Sequence, residues 1–198
     1  MGATYKTLAG PAGPSEFKDR GSKFLGYGFP VHSEADVKRL VEQIRKAHHK
    51  ARHWCYAWRI GPEPAAERAN DDGEPARSAG QPILQQIRAR ELTDTLVVVV
   101  RYFGGVKLGV GGLIRAYKAA ASEVLDMAEI MEKPITQRLH IRFDYDRMNT
   151  VMKIIKRFGG QIRRQNAGQL VEIEAEFEPE KIEAVKEQLN NWEGVEVK

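Results

Sequence analysis

Residues 96–125 read LVVVVRYFGGVKLGVGGLIRAYKAAASEVL. An unbroken apolar run comes first, five glycines follow between Gly104 and Gly112, and an alanine-rich segment closes the stretch. The run at 96–100 does not alternate, as expected of a strand covered on both faces. Downstream, Leu113, Tyr117, Ala120, Ala121, Val124 and Leu125 fall on one side of a 3.6-residue period, which predicts a helix over 111–130. A buried strand, a permissive turn and a long helix in succession put this stretch at the centre of a mixed helix-and-strand domain.

The glycines allow two readings. They permit positive φ and close approach of backbones, so they suit tight packing. A glycine-rich strand-to-helix turn also offers free N–H groups at the positive end of a helix, which suits phosphate. Arg101, Lys107, Arg115 and Lys118 reinforce the second reading, and no acidic residue occurs from 95 to 122. The standard nucleotide loops do not fit. GxxxxGK[ST] fails because Val110 follows Gly109, and GxGxxG fails because Ile114 stands at the sixth position. In the phosphate reading the working face is Arg101, Tyr102, Gly104, Gly105, Lys107, Gly109, Gly111, Gly112, Arg115 and Lys118.

Upstream, TYKTLAG is a short strand candidate, GPAGP marks a loop, and SKFLGYGFPV reads as a strand. Gly26 and Gly28 in that strand suggest a bulge or the close approach of another backbone. Ser33 is placed to cap a helix over 34–50, with Val37, Leu40, Val41 and Ile44 on its apolar face. HWCYAWRIG reads as an aromatic-rich strand. Residues 61–82 read as a long polar connection, and ILQQIRARELT as a helix.

The pattern breaks at MEKPI, 131–135, where a domain boundary is expected. The expected domains are 1–132 and 135–198. Residues 135–198 read strand, helix, strand, strand, helix, strand, a βαββαβ order that is the ferredoxin-like signature.

Asp71, Asp72 and Glu74 in RANDDGEP are weak catalytic candidates. They have the chemistry to hold a hard cation or to serve as acid and base, yet Asp-Gly and Glu-Pro are also plain turn chemistry. His48, His49, His53 and Cys55 include only one thiol and straddle a predicted helix end and strand start, a poor basis for zinc or a Cys–His nucleophile. Arg157, Arg163 and Arg164, with Phe158 among them, fit either an RNA-facing surface or a solvated sheet face beside the acidic EIEAEFE. No metal site and no cofactor are expected.

The 198 residues carry a net charge of +4, with 42% hydrophobic residues, enough for a packed core. Residues 134–198 hold 11 basic and 11 acidic side chains, so the whole excess lies in 1–133. A single cysteine excludes an internal disulfide and fits a reducing compartment. The N-terminus lacks a signal-peptide pattern, and no apolar run is long enough to span a bilayer. The expectation is a soluble, cytoplasmic protein with no membrane partner.

RANDDGEP, AGQPIL and VVVVRYFGGVKLGVGGLIRAYKAAA, in this order, closely resemble the hallmark of the IMPACT family, also called YigZ or UPF0029. HWCYAWRIG and SKFLGYGFPV are similar to its upstream strands, so the resemblance covers about residues 3–130. One turn departs: where the family reads DDGEP-x-GTAG, Arg77 and Ser78 stand in the Gly and Thr positions. The resemblance implies a two-domain α+β protein. Its first domain would be similar to domain IV of elongation factor G and to the second domain of a small-subunit ribosomal protein. Its ferredoxin-like second domain would be similar to domain V of that factor. Eukaryotic members regulate translation by binding a ribosome-associated activator of a stress kinase, while the two-domain form resembles the bacterial members. The resemblance implies the fold but no particular activity for the bacterial form, and the favoured expectation is a non-enzymatic, translation-linked or nucleic-acid-binding protein whose partner is the ribosome, structured RNA or another protein. The alternatives are a metal-dependent hydrolase or phosphotransferase using the 71–74 carboxylates, and a protein-interaction regulator.

Overall fold

The structure is a computed structural model that describes residues 3–62 and 65–198. Contacts divide the chain into two compact units, Tyr5–Lys133 and Pro134–Lys198, the second joined by the start of the chain.

The first unit is built on a five-stranded antiparallel sheet. Its strands are β2 (Ala12–Asp19), β3 (Ser22–Pro30), β4 (His53–Ile60), β5 (Ala66–Asn70) and β6 (Thr95–Tyr102), in the order β2-β3-β6-β4-β5. The apolar run of the opening stretch is β6, in the middle, hydrogen-bonded to β3 and β4. Its side chains serve two cores. Val97 and Val99 pack with α2 (Gly80–Ala89) and α3 (Gly109–Met127) on one face. Leu96, Val98 and Val100 pack with α1 (Glu34–Ala47) on the other. Helices on both faces explain why β6 does not alternate. Its pairings are nonetheless antiparallel, so continuity of apolar residues reports two-sided burial, not strand direction.

Local chemistry sets the helix ends. Ser33 caps α1, its hydroxyl accepting from the Asp36 N–H at 3.2 Å. Helix α3 lies directly on β3: a Cβ at Gly26 would stand 2.7 Å from the Ala120 carbonyl oxygen. The alanines at 116, 120 and 121, all fully buried, keep the facing side of α3 thin enough for that approach.

Three local expectations need revision. Residues 66–70, read as part of a polar connection, form edge strand β5. Strand β2 begins at Ala12, inside the expected GPAGP loop. Helix α3 stops at Met127, and Ile130–Pro134 forms strand β7, which pairs with β1 (Thr4–Leu8) in a separate two-stranded sheet.

The second unit follows the βαββαβ order. Strands β8 (Gln137–Phe143), β9 (Gln161–Ala167), β10 (Val171–Phe177) and β11 (Val195–Val197) form an antiparallel sheet in the order β11-β8-β10-β9. Leu139, Ile141, Phe143, Val171, Ile173, Ala175 and Phe177 point to one face. There they meet Val151, Ile154 and Ile155 of α4 (Met148–Arg157) and Ile182, Val185 and Leu189 of α5 (Ile182–Asn190). Cross-strand ion pairs tie charged side chains of this sheet: Arg138 and Arg163 both reach Glu176, at 3.0 and 2.8 Å. Arg164 stands opposite Glu174 in register, but Glu174 pairs with Arg138 and His140. Among the described residues no helix is long and apolar enough to cross a membrane.

Candidate functional site

The 70–80 turn is held by its own carboxylates. Asp71 Oδ1 accepts from the N–H groups of Ala79 and Gly80, at 3.0 and 2.8 Å, and its Oδ2 accepts from the Arg77 N–H at 2.8 Å. It thereby satisfies free donors at the start of α2, a helix with no side-chain cap from its own N-cap residue. Asp72 ties the turn to β4, its Oδ2 accepting from the Trp54 N–H at 2.8 Å, and pairs with Arg45 of α1. Glu74 turns inward. Its side chain is 4% exposed, and Oε1 accepts from Arg101 Nη1 at 2.6 Å and from the Tyr117 hydroxyl at 2.8 Å.

Around Glu74 lies a buried polar cluster. The Cys55 thiol donates to the Asp71 carbonyl oxygen at 3.0 Å and lies 3.3 Å from the Tyr117 hydroxyl. Burial pushes both the Cys55 thiol and the Tyr117 phenol up, so both stay protonated at neutral pH. Cys55 is therefore a core donor, not a nucleophile. Each carboxylate of the turn is engaged by donors of the chain itself. Among the described residues no group of three or more His, Cys, Asp or Glu is placed to hold a metal ion.

The ten residues of the predicted glycine-rich face separate into two sets. Arg101 belongs inside. Its side chain is 7% exposed and paired with Glu74, with its guanidinium carbon 5.5 Å from the ring centroids of both Phe24 and Phe103. The Tyr102 hydroxyl is likewise engaged, 2.8 Å from His48 Nδ1, while His48 Nε2 lies 2.7 Å from the Tyr27 hydroxyl. Burial holds His48 below the usual imidazole range. Gly112 is buried in α3.

The outer set is Gly104, Gly105, Lys107, Gly109, Gly111, Arg115 and Lys118, all exposed. Gly104 needs its missing side chain, because a Cβ there would stand 1.9 Å from the Gly21 carbonyl carbon. Its N–H donates to Ser22 Oγ at 3.1 Å, which clamps the start of the loop. Gly105 and Gly109 adopt φ of +89° and +70°. No ion pair is formed by Lys107, Arg115 or Lys118 among the described residues, and α3 has no acidic residue in its first turn.

Sequence reasoning missed two features. One is the Glu74–Arg101–Tyr117 cluster, which joins residues 43 positions apart. The other is a set of exposed apolar side chains, Phe103, Val106, Val110 and Ile114, on the same loop and the first turns of α3. The second left a signal: Val110 and Ile114 stand four apart and miss the buried positions of the helix period.

The sequence profile of the Impact N-terminal domain matches residues 20–125. The IMPACT family member YvyE of Bacillus subtilis is 35% identical over 176 residues, covering 89% of this chain and 81% of that protein. The family member YigZ of Escherichia coli K12 is 33% identical over 128 residues, 64% of this chain and 63% of its own length. A solved structure described only as that of an hypothetical protein superposes with a TM-score of 0.76 at 25% identity, over the whole of this chain and 97% of that one. On a matched domain spanning more than half of its length, and on a relative 35% identical over 89% of it, this chain belongs to the IMPACT family.

Proposed function

We propose that this chain is a non-enzymatic protein of the translation apparatus that binds ribosomes or structured RNA through the exposed part of its glycine-rich loop. The observation that carries the reading is the trio Lys107, Arg115 and Lys118. Three exposed cations without ion-pair partners among the described residues lie on the loop and the first three turns of α3, where the backbone is free of side chains at Gly104, Gly105, Gly109 and Gly111. Such a surface lets a phosphate backbone approach closely and gains from counterion release. In this reading Arg101 and Tyr102 position the loop from behind, Glu74 holds Arg101, and Asp71 and Asp72 order the turn that carries Glu74.

The family resemblance supports the link to translation, as does the order of elements within each unit. We take the Tyr5–Lys133 unit as similar to domain IV of elongation factor G, and the Pro134–Lys198 unit as its ferredoxin-like domain V counterpart. The strand order β11-β8-β10-β9 fits that reading. The site would work in the cytoplasm, where ribosomes are. Occupied carboxylates and a buried, protonated Cys55 speak for binding over hydrolysis or phosphotransfer.

The test is titration of a structured RNA across a salt series. Contacts to three phosphates give a slope of log affinity against log salt of about −2 to −3. The variant Lys107→Glu/Arg115→Glu should bind at least about tenfold more weakly with a shallower slope. Affinity indifferent to salt, or unaltered in this variant, contradicts the proposal.

A further inference from the structure

Phe103 is an aromatic ring held at the surface by a buried support. Its exposure is 45%, although phenylalanine ordinarily leaves water. The Arg101 guanidinium lies over one face of the ring, its carbon 5.5 Å from the centroid. That guanidinium does not move freely. Glu74 holds it at 2.6 Å, and it also lies over Phe24. Phe24 in turn packs edge-on against Tyr117, centroids 5.1 Å apart, and against Phe17 at 6.3 Å. Immediately after the ring, Gly104 is clamped against Gly21 and Ser22. The ring is thus fixed by one face on a cation and by the chain on its C-terminal side. Lys107, Arg115 and Lys118 lie within the next fifteen residues of chain, with no acidic side chain among them.

We infer that Phe103 is a stacking platform for an unpaired base, so that the site takes single-stranded or bulged RNA in preference to continuous duplex. This rests on the RNA-binding reading above and adds the form of RNA. A fixed aromatic ring loses little conformational freedom on binding, and every base has a π-face to lay against it. A duplex keeps its bases stacked on one another and offers the ring only its backbone and groove edges. Cations alone would bind both forms. The ring is what discriminates. The exposed Val106, Val110 and Ile114 would also suit an apolar protein segment, but they do not account for a ring seated on a buried guanidinium.

The experiment uses the full chain with two labelled RNAs, a twelve-nucleotide single strand and the same strand annealed to its complement. The proteins are wild type, Phe103→Leu, Phe103→Trp and Lys107→Glu/Arg115→Glu. Wild type should prefer the single strand. Phe103→Leu should lose about 5- to 150-fold on the single strand, the range for one stacked base, with duplex affinity within about twofold and the salt slope kept. Phe103→Trp should retain the preference, which a merely structural role for the ring would not give. Equal affinity of wild type for both RNAs, or an equal loss on both in Phe103→Leu, overturns the inference. If binding stays salt-sensitive and is lost only in the charge-reversal variant, stacking fails and the RNA-binding reading stands. If neither RNA binds at low salt, both fail. A protein partner retained through nuclease treatment and lost in Phe103→Leu, with no RNA bound, assigns the surface to protein and overturns both.

Discussion

Arg77 adopts φ of +62°, in the left-handed region where a Cβ is penalised. This is the position at which the family turn usually carries glycine, and its main-chain N–H is the group that Asp71 Oδ2 accepts. Arg77→Gly keeps that bond and removes the penalty. We expect it to stabilise the protein by about 0.5–1 kcal/mol in denaturant unfolding, the left-handed cost less the added chain entropy of glycine. Glu74 should behave in the opposite way. Removing it by Glu74→Ala strands a buried guanidinium and should cost about 3–5 kcal/mol by the same measurement. A loss under 1 kcal/mol would mean that Arg101 finds another partner. At this scale the DDGEP turn was legible as turn chemistry, because Asp-Gly and Glu-Pro act locally. The reach of Asp71 to residues 77, 79 and 80 was not, because the fold closes those contacts.

Strand β5 and helix α1 show the same division at the scale of elements. Helix α1 was readable from Ser33 and from four apolar residues at helical spacing, all of which are buried. Strand β5, AERAN, has no such pattern. It lies at the sheet edge with most of its side chains exposed, and its register with β4 defines it, from Tyr56 opposite Asn70 to Ile60 opposite Ala66. Edge strands without a buried face leave little trace in sequence. The end of α1 carries a pH-dependent contact. His48 closes α1 and bonds through its two nitrogens with Tyr102 and Tyr27. Its imidazole is held below the ordinary value of 6.5. The neutral form is thus favoured in the folded state, and the unfolded chain takes up the proton first as pH falls. The stability tied to His48 is present above pH 6.5 and is lost progressively below it, until the folded-state value is passed. The unfolding free energy of wild type should therefore drop more steeply below pH 6.5 than that of His48→Gln. Parallel profiles would remove His48 from this role.

Across the whole molecule, charge separates the two units. The excess of +4 resides in residues 1–133, while 134–198 balance. On the second unit's sheet, Arg138, Arg142 and Arg163 are answered by glutamates 172, 174 and 176. Arg163→Glu should accordingly leave RNA affinity within about twofold, since Arg163 is already paired with Glu176 and phosphate contacts scale with cations not already paired. A loss as large as that of Lys107→Glu/Arg115→Glu would move the binding surface to the second unit. The two-domain order and the ledger of charge were readable in the sequence. Which cations face outward was not: Arg101 and Lys107 stand six residues apart in one basic stretch, and only folding buries the first at the end of β6 and exposes the second in the loop. The most direct test is sedimentation of the purified protein with ribosomes across a salt series, beside Lys107→Glu/Arg115→Glu. The account predicts co-sedimentation at low salt that falls steeply as salt rises and is lost in the variant. Co-sedimentation that persists in the variant, or its absence for wild type at low salt, would contradict the account and leave the glycines as packing devices alone.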